Sequence, residues 1–229
     1  MNHAQSYVAI RSRLVDALEQ LSPEQLAAVV PACPVWSVHE LLVHVASMPM
    51  AIVSGDVPDG PDPNPWIEGL IARHRSKSVT ELVSWWHSDE PAVQGLAAHA
   101  GVLVLDLFVH ESDLHGAIGS IGHRRAPELA DQLSMSISTL ATQISATNLA
   151  PVAIETELGQ FVTSEGTPGW TLCVSAWDAH RILNSRRTAT EIRAVPGSGD
   201  PESYLTLIDE HLPLPHASLG EPANDDPDA

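Results

Sequence analysis

The chain has 229 residues, enough for one sizeable domain or for a domain with a smaller companion. Its 29 acidic against 11 basic residues give a formal net charge of −18, which opposes binding to nucleic-acid phosphates or to anionic lipid. Hydrophobic residues make up 44% of it, yet no apolar run reaches the roughly 18 residues of a membrane span, so neither nucleic acid nor membrane is an expected partner.

The opening MNHAQSYVAIRSRL lacks the basic region, apolar core and cleavage site of a secretory signal, and the expected compartment is the cytoplasm. Cys33 and Cys173 form no C-x-x-C and are expected to be reduced. Tyr7, Ile10, Leu14, Leu18 and Leu21 recur at helical spacing and predict an amphipathic first helix ending before Ser22-Pro23. A short helix from Pro23 to about Val30 is expected next. Ser37 followed by Glu40 is a capping box, so a second long helix starts after Trp36, turning Val38, Leu41, Leu42 and Val45 inward with His44 near that face.

Residues 54–66 are rich in Pro, Gly and Asp and read as a loop. Helical pattern resumes at Trp66, with Leu70 and Arg73, and again at Ser78-x-x-Glu81, where Leu82, Trp85 and Trp86 supply a core face. After Pro91 the chain is expected to run into a central helix, Val102 to Gly119, that is apolar almost all the way round and therefore buried. Asp106 and His110 lie one turn apart on its leucine stripe. A buried carboxylate needs compensation, and two readings stay open: an Asp–His hydrogen bond that holds the core, or a pair of ligands for one divalent ion. Pro127 opens another long helix carrying Leu129, Leu133, Ile137, Leu140 and Ile144.

From Ala150 the pattern turns to short β-type runs, VAIET, QFVTS and WTLCVS, separated by glycine-containing turns. A helix at Ala176–Asn184 precedes Arg186-Arg187, and another begins at Pro201 with Tyr204, Leu205 and Ile208 facing inward. The residues past Leu212 hold too little apolar content to fold and are expected to be disordered.

His110-Glu111 with His115 is not a zincin motif, since its second histidine comes one position late. There is no G-x-S-x-G, P-loop or dinucleotide fingerprint, so serine hydrolase, nucleotide hydrolase and Rossmann dehydrogenase readings find no anchor. What remains is His44 with Asp106 and His110. Three ligands from two helices compose an open site with room for water or substrate.

CPVWSVHELLVHVA and DLFVHESDLHGAIG resemble two segments of the mycothiol-dependent maleylpyruvate isomerase branch of the DinB-like metal-binding bundles, and HRILNSRRTATEIRAV with GDPESYL resembles the small C-terminal domain of many members. The resemblance implies an α+β protein: a mainly α DinB-like four-helix bundle over residues 1–149, a small α/β domain over 150–212, and an acidic Pro-rich tail over 213–229. It implies a divalent metal, with zinc the expected ion, on His44, Asp106 and His110. The family pattern has Glu at the position of Asp106, and Asp113 matches an Asp with a structural or supporting role. Mycothiol is the implied thiol co-substrate, acting on a small-molecule electrophile in a transferase or isomerase reaction; the alternative is a non-catalytic metal-binding or ligand-sensing protein.

Neither cysteine matches a motif position, so the nucleophilic thiol is expected from outside the chain. Arg181 and Arg186, with Arg187, are candidates to bind a carboxylate of thiol or substrate. Helix C-terminal charges and surface ion pairs are the other reading of them. The expected assembly is a monomer or homodimer.

Overall fold

Capping side chains decide where most helices begin. In the computed structural model, which describes residues 2–222, Asn2, Ser22 and Ser37 each close a capping box, starting α1 (His3–Leu18), α2 (Pro23–Leu26) and, past the strands β1 (Val29–Val30) and β2 (Cys33–Ser37), α3 (Val38–Val53). A proline opens α4 (Asn64–His74), and the Ser78 box opens α5 (Val79–His87). Then follow α6 (Glu90–His99) and α7 (Gly101–Ala117).

The chain divides into two compact units, one ending at Gly122 and the other starting at His123. In the first, α1 and α3 each pack on both α6 and α7, and α4 and α5 pack on α3. The predicted stripes are its core: Tyr7, Ile10, Leu14, Leu18, Val38, Leu41, Leu42, Val45, Leu70, Leu82 and Trp86 are all buried. Polar anchors sit in the same core, where Trp86 Nε1 donates to Tyr7 Oη at 2.8 Å and the buried Arg11 guanidinium lies over both rings and pairs with Glu90.

In the second unit, α8 (Leu129–Ser145) and α9 (Ala176–Leu183) pack together beside a four-stranded sheet of order β4-β3-β5-β6. β3 (Val152–Thr156) pairs antiparallel with β4 (Gly159–Val162) and parallel with β5 (Trp170–Cys173). After α10 (Ala189–Ala194), β6 (Gly197–Gly199) joins the sheet edge antiparallel to β5, and α11 (Glu202–His211) packs on α8. The helices and the small sheet make the protein α+β, as expected.

Several expectations are corrected. The helix expected over Pro23–Val30 stops at Leu26, because Val29–Val30 leaves to pair with Cys33–Ser37 as a hairpin. The central helix expected over Val102–Gly119 is α7, and the stretch from Pro91 that leads into it is a separate helix, α6, which meets α7 at 105° around Ala100. The long helix after Pro127 was expected in the N-terminal bundle, with a boundary at 149/150, yet α8 packs on α9 and the division falls at 122/123. β6 is Gly-Ser-Gly, which no strand signal in the sequence announces; a Cβ on Gly197 or Gly199 would collide with the carbonyl of Thr171 or Gly169, so only glycine can close this edge. Of the tail expected over 213–229, Leu214 and Glu221 are buried, while residues 223–229 lie outside the described residues. No single helix among the described residues is long and apolar enough to cross a membrane.

Candidate metal centre

α3 and α7 pack face to face, which brings His44 and the Asp106–His110 pair together although 62 positions separate His44 from Asp106 in the chain. His44 Nε2 lies 3.4 Å from Asp106 Oδ2, and His110 Nε2 lies 3.4 Å from Asp106 Oδ1. The two imidazole rings stand edge to face with centroids 4.9 Å apart. One ligand atom from each of the three residues falls within 4.8 Å of the other two.

These spacings bear on the two readings of the pair. A charge-assisted hydrogen bond between imidazolium and carboxylate closes to about 2.7–2.9 Å, whereas two ligands at ~2.0–2.2 Å from a tetrahedral ion stand about 3.4 Å apart. Both histidines hold the second distance to Asp106. The donor set of two imidazoles and a carboxylate also suits a divalent ion of zinc type.

Neighbouring side chains fix the ring orientations. Asp113, one turn along α7 and fully buried, faces His110 Nδ1 at 3.1 Å, which leaves Nε2 to face Asp106. His44 Nδ1 is buried with no hydrogen-bond partner among the described residues. Trp36, the penultimate residue of β2, lies over His44 at 4.8 Å between ring centroids and 6.0 Å from His110. Ser37 then caps α3, so one short segment both starts the helix that carries His44 and places the indole above it.

Burial pushes the Asp106 carboxyl up, but the charges of His110 and His44 override it and hold the group well below the usual carboxylate range. For His110 burial acts downward, and Asp106, Asp113 and the Cys33 thiol together raise it well above the usual imidazole value. Asp106 is 29% exposed, so the cluster is open to solvent on the carboxylate side. Cys33, which matches no motif position, sits beside the site: its sulfur is grouped with His110 and Asp113 within 4.8 Å. The β1–β2 hairpin that carries Cys33 was the element missed in the sequence.

Residues 7–101 match the family model described as the mycothiol maleylpyruvate isomerase N-terminal domain. This part of the chain is similar to that domain. Comparison with curated proteins and with solved structures finds no match. His44 lies within the matched stretch, while Asp106 and His110 follow it on α7, whose first residue ends the match.

The arginine candidates belong to the second unit. Arg181, in the last turn of α9, is fully buried and paired with Glu221. Arg187 binds Glu221 Oε2 at 2.6 Å and Asp178 at 2.7 Å. Arg186 is buried and directs Nη1 to the Asn184 carbonyl at 2.7 Å, closing the turn after α9.

Proposed function

We propose that the protein is a metal-dependent enzyme that uses an external low-molecular-weight thiol, mycothiol, in a transferase or isomerase reaction on a small electrophile. The convergence of His44, Asp106 and His110 at ligand spacing, next to a stretch of the maleylpyruvate isomerase N-terminal family, carries this reading. These three residues would hold the ion, with zinc the one their donor set favours. A divalent ion there lowers the pKa of a thiol bound to it, so that thiolate is available at neutral pH.

The chain's own residues prepare the place. Asp106 supplies a negative charge between two imidazoles, and Asp113 keeps the His110 Nε2 lone pair directed at that point. Trp36 covers one side of His44 and His110, and the exposed edge of Asp106 leaves a way in for thiol and electrophile. Arg181 and Arg186 are assigned to a carboxylate of the thiol or the substrate.

Metal analysis of protein purified without a histidine tag, followed by calorimetric titration of mycothiol, tests the reading. One metal per chain, lost in His44→Ala, with thiol binding only to the loaded form, is the expected result. Wild-type protein that folds without metal and does not take it up would leave the cluster a buried hydrogen-bond network. Metal uptake with no thiol binding would favour a sensor over an enzyme.

A further inference from the structure

Three of the chain's eleven basic residues, Arg124, Arg181 and Arg187, gather in the second unit of a protein with net charge −18. The Arg124 and Arg181 guanidinium carbons lie 5.4 and 5.6 Å from the centre of the Trp177 ring. Arg187 is tied to Asp178 at 2.7 Å, so its position is set from α9. Between Arg181 and Arg187 sits one carboxylate, that of Glu221, 8% exposed and bound to both. Arg124 Nη2 donates to the next carbonyl, that of Pro222, at 2.6 Å.

Three guanidinium groups thus meet Asp178 and Glu221, and Glu191 on the cavity wall makes the number of carboxylates equal. Glu221 arrives on Ser218–Pro222, a segment without helix or strand. Beside it is a cavity of about 200 Å³ lined by Arg124, Asp178, Arg187, Glu191 and Glu221. Arg124, on the cavity wall, has its Nε buried with no hydrogen-bond partner among the described residues, so a donor is left over there for a ligand larger than one carboxylate.

We infer that Arg124, Arg181 and Arg187 form a binding site for a small carboxylate and that Glu221 is its resident internal ligand, displaced when a carboxylate from solution competes. The arginines are held by α9, Asp178 and Trp177, whereas the occupant contributes one side chain from a coil. A buried guanidinium requires an anion there but not this particular one. This deepens the assignment of Arg181 above and rests on it for the ligand's identity. Its test uses neither metal nor thiol, so the two can fail separately.

Succinate is titrated calorimetrically, at constant ionic strength, into the full chain, into Glu221→Gln, and into a chain ending at Gly220. Both altered proteins are expected to bind succinate at least ten-fold more tightly than the full chain, and Arg187→Gln placed in the Glu221→Gln protein is expected to abolish the gain. Equal affinity across the three, or a gain that survives Arg187→Gln, overturns the inference. If the altered chains are unstable, succinate must raise their melting temperature where chloride of equal ionic strength does not; instability that succinate leaves untouched also overturns it.

Discussion

Asp113 shows how one residue can act on a site through another. Its buried carboxylate faces His110 Nδ1 at 3.1 Å, so the ring's other nitrogen is the one left to bind a metal. Asp113→Asn keeps the shape but weakens that hold, and metal affinity is expected to fall by about 10–100-fold with secondary structure unchanged, read by competition with a chelator. Arg11 and Glu90 form the second instructive pair. Arg11 is buried between Tyr7 and Trp86 while Glu90 is 38% exposed. Glu90→Gln leaves a buried guanidinium without its counter-charge, an expected loss of about 1–3 kcal/mol in denaturant melts at neutral pH.

The pH dependence of that loss has a definite sign. Arg11 lowers the Glu90 pKa from its ordinary 4.5, first through the hydrogen bond and then through charge. The pair therefore stabilises the fold above about pH 4.5, and its contribution disappears as pH falls through the lower folded-state value. Wild type and Glu90→Gln should converge in stability as pH falls below 4.5 and the Glu90 carboxylate takes up its proton.

At the scale of elements, the turn from β2 into α3 does two jobs with adjacent residues. Trp36 lies over His44, and Ser37 accepts from the Glu40 amide at 3.2 Å while Glu40 accepts back from the Ser37 amide at 3.0 Å. Ser37→Ala removes half of that box. A loss of about 1 kcal/mol is expected, or roughly 2–4 °C in Tm for a chain of this size, measured by thermal unfolding followed at 222 nm. The near-perpendicular meeting of α6 and α7 matters in the same way, since it lets α6 join α1, α3 and α7 as a fourth core helix.

For the molecule as a whole, the division at 122/123 places all three candidate metal ligands in one unit and the arginine cluster in the other. The connection between α7 and α8 contains no regular helix or strand from Gly119 to Glu128, and Arg125 in it is exposed. Limited trypsin digestion is expected to cut first after Arg125, leaving α8 with the C-terminal product, as N-terminal sequencing of the fragments would show. Protection of that bond, with earlier cuts elsewhere, would argue against the division.

Local signals in the sequence determined the helices and their buried faces, because an amphipathic stripe and a capping serine depend only on residues three or four apart. The stripes at Tyr7–Leu18, Val38–Val45 and Leu129–Ile144 are buried as their spacing requires, and Asp106 with His110 was visible as a compromised pair on an otherwise apolar helix. Elements whose stability comes from elsewhere in the chain were not legible. Val29–Val30 becomes a strand only because Cys33–Ser37 returns to pair with it, and Gly197–Gly199 only because β5 offers an edge. The same limit governs the sites. Nothing near Cys33 in sequence announces His110, and nothing near Glu221, in a segment too polar to fold alone, announces Arg181 forty residues earlier. Such contacts are made by burial and charge acting between distant segments, and those act only after the helices have packed.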